Sequence, residues 1–205
     1  MLKKIGVVFA VVILSVWGAT IVAPVQTGSF VYQHATELEA GLYGLQVDRV
    51  DIGDMTMHLF RTELKEGRPT LLMLHGYSAD KNVWTRFAKH FTEDYNVLVP
   101  DMAGHGATGF DPSWDYGGAA QVERLLKLLD ELELEKVHVI GNSMGGFIAA
   151  HFARLHPERT HSAALVDPAG VTSPTQSDME KILASGRNVF EISSREEFDE
   201  FYAMT

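Results

Sequence analysis

Apolar positions along the chain follow two alternating patterns. Short apolar runs bounded by Gly, Pro, Asn or Asp read as strands. They are "LQVDRVDI" and "MTMHLF" around a Gly53-Asp54 turn, then "RPTLLMLHG", "YNVLVPD", "KVHVIGNS" and "HSAALVDPAG". Between them, apolar residues recur three and four apart in "NVWTRFAKHFTE", "AAQVERLLKLLDELEL" and "MGGFIAAHFARLHPE", the spacing of helices with one buried face. Strands of near-continuous apolar character alternating with such helices predict an α/β fold, with a mostly parallel sheet covered on both faces. After Gly170 the chain turns polar and helical in pattern, and no further buried strand is expected.

The N-terminus has a pattern of its own. Behind Lys3 and Lys4, residues 5–23 carry no charge, and the next charged residue is Glu37. Nineteen helical residues rise roughly 28 Å, close to the hydrocarbon thickness of a bilayer. The segment therefore reads as an uncleaved transmembrane helix. The two lysines would stay cytoplasmic and the domain would lie on the far side, periplasmic in a bacterium. A cleaved signal peptide, which would make the protein secreted, is the alternative. Trp17 fits poorly at the outer small-residue position of a cleavage site, and Pro24 fits poorly just after one.

Composition narrows the partners. In 205 residues with 46% apolar content, one globular domain and an extension are expected. The net charge of −10 argues against nucleic acid, which needs clustered Lys and Arg. There is no cysteine, so disulfides, thiolate metal sites and a thiol nucleophile are excluded. Nine histidines raise the question of a metal, but no H-E-x-x-H or H-x-H pattern occurs, and neither metal nor cofactor is expected.

The candidate chemistry lies in Gly141-Asn142-Ser143-Met144-Gly145, a match to G-x-S-x-G at a predicted strand-to-helix junction. Such a turn exposes the serine hydroxyl, and the flanking glycines leave room for tight packing. Ser143 is the candidate nucleophile. His75-Gly76-Tyr77 ends a buried strand, where an acyl-transfer site of this architecture draws one backbone N–H for an oxyanion hole. An ordinary glycine turn is the alternative there. The second donor would be Met144 N–H, aided by the positive end of the helix it begins. Gly104-His105-Gly106-Ala107-Thr108-Gly109 also matches G-x-G-x-x-G, but Pro112 and an aperiodic stretch follow instead of the helix that a dinucleotide site requires.

Taken together, HG-Y-S-x-x-K-x-x-W, D-M-x-G-H-G and G-N-S-M-G-G, in this order and spacing, resemble the α/β-hydrolase family. Within it they are most similar to membrane-anchored monoacylglycerol lipases and related bacterial lipases and esterases. The resemblance implies a serine ester hydrolase acting on acylglycerol-like lipid esters without a cofactor, through Ser143 with Tyr77 and Met144 as oxyanion hole. It also implies that Asp101, Gly104, His105 and Gly106, like His75 and Gly76, form structural turns. On this basis residues 1–24 divide off as anchor or signal sequence and 25–45 as a linker helix. Residues 46–170 are the first part of the core, and 171–205 the start of a cap.

One departure stands out. In this architecture the acid and the histidine follow the serine along the chain. Three histidines follow Ser143. His151 lies eight residues down the helix, about 12 Å along its axis, and His156 thirteen residues down, about 20 Å. His161 opens the next parallel strand, at the opposite end of the sheet. A general base must come within about 3 Å of the hydroxyl, so none qualifies. His75, His105 and Asp167 end strands on the serine's side, and a rebuilt triad from His105 and Asp167 is the alternative to a chain that stops before its acid and base. The second functional expectation is therefore a catalytically incomplete, membrane-anchored binding module.

Overall fold

In the computed structural model, which describes residues 22–172 and 174–204, six strands form one sheet. They are β1 (Gln46–Asp51), β2 (Thr56–Arg61), β3 (Thr70–Leu74), β4 (Asn96–Pro100), β5 (Val137–Asn142) and β6 (Thr160–Val166), in the order β1-β2-β4-β3-β5-β6. The first two make an antiparallel hairpin, and β2 lies antiparallel to β4. From β4 across β3 and β5 to β6 all pairing is parallel. Gly53 turns the hairpin at φ 93°, where a side chain would be strained, and its N–H caps the Asp51 carboxylate at 2.8 Å.

Helices cover both faces, for the reason the alternation of side chains dictates. Leu72, Leu74, Leu98 and Val139 face one way, onto α3 (Gly118–Glu131) and α4 (Met144–Leu155), which bring Leu125, Leu128, Ile148 and Phe152. Leu71, Met73, Val97 and Val99 face the other way, with Phe60, Trp84 and Ala40 of α1 (Pro24–Leu42). The strands β3 and β4 are buried at every position. Two further helices, α5 (Asp178–Ala184) and α6 (Arg195–Met204), follow the sheet, and no strand occurs among the described residues after β6.

Three points differ from the pattern-based expectation or lie beyond it. The stretch expected as one helix from Asn82 is a 3-10 turn, Lys81–Trp84, and a single α-turn, α2 (Thr85–Ala88). The rings of Trp84, Phe87, Phe91 and Tyr95 meet in succession at 5.6, 5.1 and 5.9 Å, the first two pairs tilted and the last edge-on. Strand β6, apolar enough to suggest burial, is the sheet edge among the described residues: six of its seven residues are exposed, Leu165 at 44%. The proposed membrane span falls outside the described residues except for Val22 and Ala23. Among the described residues no helix is long and apolar enough to cross a membrane.

Candidate active site

The sheet's carboxyl end is where β3, β4 and β5 each release a loop, and there the motif residues converge. Between β5 and α4, Ser143 adopts φ 52° and ψ −113°, a conformation that costs a non-glycine residue about 1–3 kcal/mol. Its surroundings impose this geometry. Ser143 N–H donates to the Val166 carbonyl at 3.0 Å, and its carbonyl accepts from the N–H groups of Phe147 and Ala169 at 3.0 and 2.9 Å. A Cβ on Gly141 would fall on the Gly145 carbonyl, and one on Gly145 would fall on the carbonyls of Leu74 and His75. The turn closes only because both positions are glycine.

Gly76 brings the β3 loop against the serine: a Cβ there would stand 3.4 Å from Ser143 Cβ and 3.2 Å from Asn142 Oδ1. The next peptide N–H belongs to Tyr77. Among the described residues neither that N–H nor that of Met144 donates a hydrogen bond. Met144 is the first residue of α4, where the helix leaves its N–H groups unpaired and its dipole is positive. Two unpaired donors thus follow directly on Gly76 and the half-buried Ser143, the residues that pack together at this end of the sheet. Over them the Tyr77 ring meets His105 edge-on at 5.6 Å and Phe190 at 5.2 Å. The segment before α6 thus reaches the mouth.

The loop after β4 wraps a buried charge. Asp101, fully buried, accepts from Lys81 N–H at 2.8 Å, Lys81 Nζ at 2.7 Å and Ala107 N–H at 2.9 Å. A Cβ on Gly106 would fall within that carboxylate. Thr108 Oγ1 donates to the Asp101 carbonyl and accepts from His58 N–H, stitching the loop to β2. Gly104 holds φ 90°, and its N–H donates to the Gly109 carbonyl at 2.8 Å. The G-x-G-x-x-G stretch is thus a turn folded around Asp101, and the next helix starts only at Gly118. The sequence pattern alone gives Lys81 no role. Its ion pair ties the loop after β3 to the loop after β4, and only its place in the HG-Y-S-x-x-K-x-x-W stretch hinted at it.

The histidines are engaged elsewhere. Buried His75 donates from Nδ1 to the Gly76 carbonyl at 2.8 Å and accepts at Nε2 from Met102 N–H at 3.0 Å. Burial holds its basicity below that of a free imidazole, with His105 adding to the effect, and the Nε2 contact fixes the neutral Nδ1–H tautomer. His105 Nδ1 lies 3.3 Å from the Ala103 carbonyl. His151 bonds one turn back to the Phe147 carbonyl, His156 sits between Glu158 and Glu123, and His161 stacks on His138. Among the described residues no side chain hydrogen-bonds the Ser143 hydroxyl. Asp167 follows β6 with φ 41°, exposed, at the same end of the sheet. No group of three or more His, Asp or Glu suited to a metal occurs among the described residues.

Comparison with known proteins gives one consistent answer. A family model described as alpha/beta hydrolase fold matches residues 69–191. Monoacylglycerol lipase abhd6-A of Xenopus laevis is 36% identical over 118 residues, 57% of this chain and 35% of that protein. Lipase 3 of Moraxella sp. (strain TA144) is 31% identical over 205 residues, 98% of this chain and 64% of the lipase. Among solved structures, a membrane phospholipase A described as a bacterial virulence factor superposes with a TM-score of 0.79 at 31% identity, over 96% of this chain and 62% of that one. The chain spans about a third to two thirds of the length of the relatives it matches.

Proposed function

Because the chain belongs to the alpha/beta hydrolase fold family, we propose that it carries the nucleophile and oxyanion half of a serine ester hydrolase acting on acylglycerol-like lipid esters. One observation carries this reading. Ser143 is held in a strained strand-to-helix turn packed against Gly76, and the N–H groups that follow these two residues, those of Met144 and Tyr77, are unpaired. The hydroxyl attacks the ester carbonyl, and the tetrahedral oxyanion accepts hydrogen bonds from the two N–H groups. The carbonyl then re-forms, the alkoxide leaves with a proton, and water releases the acyl group from Ser143. Removal of one oxyanion donor in such sites costs about 10²–10³ in rate, which sets the scale of their contribution. The named activities of the lipase and phospholipase relatives support the ester as the bond cleaved.

We further propose residues 5–23 as a membrane anchor that places the domain on the non-cytoplasmic side. The uncharged sequence supports it, as does the likeness to a membrane phospholipase. A second reading, a non-catalytic membrane-bound module, is favoured by one observation: none of the nine histidines bonds the Ser143 hydroxyl. Intact-mass spectrometry after treating the purified chain with a fluorophosphonate separates the two. One phosphonyl adduct, lost in Ser143→Ala, is the expected result. A folded chain that takes up none would sink the catalytic reading for these residues and leave the module.

A further inference from the structure

The first half of α1 is uncharged and has little protein around it. From residue 5 to residue 36 the chain contains no Asp, Glu, Lys or Arg. Val22, Val25, Phe30, Val31 and Tyr32 are each more than half exposed, at 85, 73, 61, 51 and 55%. At 3.6 residues per turn Val25, Phe30 and Val31 point to different sides of the helix, so they do not form one stripe for one docked partner. The helix is attached to the body through its second half. There Ala40 is buried, Glu39 accepts from Arg86 Nε at 2.7 Å, and Tyr43, just past the helix end, lies under Lys89 Nζ. At its start, Ala23 has non-helical φ −139° and ψ 67°, and proline occupies the first turn. The chain therefore enters α1 through a bend at Ala23.

We infer that residues 22–32 lie inside the headgroup layer of the bilayer, with lipid around every side but the one that Tyr32 turns to the body, and that α1 enters water only near Glu37. This rests on the proposal that residues 5–23 anchor the chain. An uncharged helix exposed all round suits a medium that is neither water nor hydrocarbon. Gln26, Thr27, Ser29 and Gln33 offer neutral donors and acceptors to lipid ester groups, and Tyr32 combines an apolar ring with a polar tip. Residues 22–32 span roughly 15 Å. The layer outside the hydrocarbon is only about 5–8 Å thick on each side, so the helix must run obliquely. The bend available at Ala23 permits that tilt, and the tilt draws the body down onto the leaflet. Tyr32 shares a hollow with Ser78, Asp80, Val83 and His105, so the loops after β3 and β4 lie on the helix's side of the body.

The absence of cysteine allows single labels to be introduced cleanly. Nitroxides are attached to Val25→Cys, Phe30→Cys, Val31→Cys and, as the control beyond the charged residues, Leu42→Cys. Each full chain is reconstituted in phosphatidylcholine–phosphatidylglycerol vesicles. The ratio of collisions with oxygen to collisions with a water-soluble nickel chelate is then measured. The expected ratio is several-fold higher at residues 25, 30 and 31 than at 42. Equal ratios on chains that float with the vesicles would overturn the inference while leaving the anchor intact. Spin–spin broadening at residues 30 and 31 would also overturn it, by showing a second copy on that surface. Failure to float would remove both the inference and the anchor. None of these outcomes depends on Ser143 chemistry.

Discussion

Replacing Lys81 with methionine isolates the energetics of the pair that joins the two loops. Asp101 has no solvent exposure and Lys81 only 7%. Methionine keeps the apolar stem and removes the ammonium, which lies 2.7 Å from Asp101 Oδ2 and 5.1 Å from the Phe60 ring centre. The carboxylate would keep the N–H groups of Lys81 and Ala107 as donors but lose the one cation paired with it among the described residues. A buried charge stripped of its partner destabilises a fold by about 3–5 kcal/mol. With a urea dependence of about 1–3 kcal/mol per molar for a domain of this class, the unfolding midpoint should fall by roughly 2 M. Urea titration of the wild-type and Lys81→Met chains in detergent micelles, followed by circular dichroism, measures the shift. Lys81→Met/Asp101→Asn should recover part of the loss, because no uncompensated charge then remains. A single variant within about 1 kcal/mol of wild type would refute the reasoning, since a surface-type ion pair contributes no more than that.

Three other outcomes follow from the same geometry. Gly145→Ala drives a methyl into the Leu74 and His75 carbonyls and should lose at least 1–3 kcal/mol, the usual order for overpacking, read as a lower urea midpoint or as insoluble expression. Ser143→Gly should instead stabilise the fold by about 1 kcal/mol, because relief of a positive φ outweighs the added chain entropy; a lower melting temperature would count against the strain. His75 is less basic folded than unfolded, so the unfolded chain binds its proton first on acidification. Its stabilising effect is complete above about pH 6.5 and is lost as pH falls toward the folded value. The urea midpoint of His75→Gln should therefore change less than that of wild type between pH 7.5 and 5.5; parallel profiles would show that His75 protonates equally in both states.

What could be read from the residues depended on how local the physical cause was. The strands β3 and β4 were legible because burial on both faces demands unbroken apolar runs, and "TLLML" and "NVLVP" supply them. The Ser143 turn was legible because a tight backbone approach demands glycine, and Gly141 and Gly145 mark it. The Lys81–Asp101 pair was not legible, since a lysine among polar residues carries no mark of the carboxylate twenty positions on that buries it. The fate of "HSAALVD" was equally hidden. Apolar composition made it a strand, but its neighbours decide whether it is a centre or an edge. The short 81–88 segment escaped because aromatics at helical spacing pack as well along an irregular chain as along a helix. Helix geometry predicts His151 and His156 far from Ser143, and both bond elsewhere in the fold, whereas the use of both His75 ring nitrogens is visible only in three dimensions.

The hydrogen bonds that fix Ser143 end on the exit of β6: its N–H on Val166, and its carbonyl shared with the N–H of Ala169. Among the described residues β6 pairs with β5 alone and is exposed along most of its length. Edges fray before centres, with opening free energies well below that of the whole domain. A strained serine dihedral is thus clamped from a strand that, among the described residues, lies at the border of the sheet. Solvent exchange of the Ser143 amide would therefore report on the opening of β6, a different quantity from the stability of the domain as a whole.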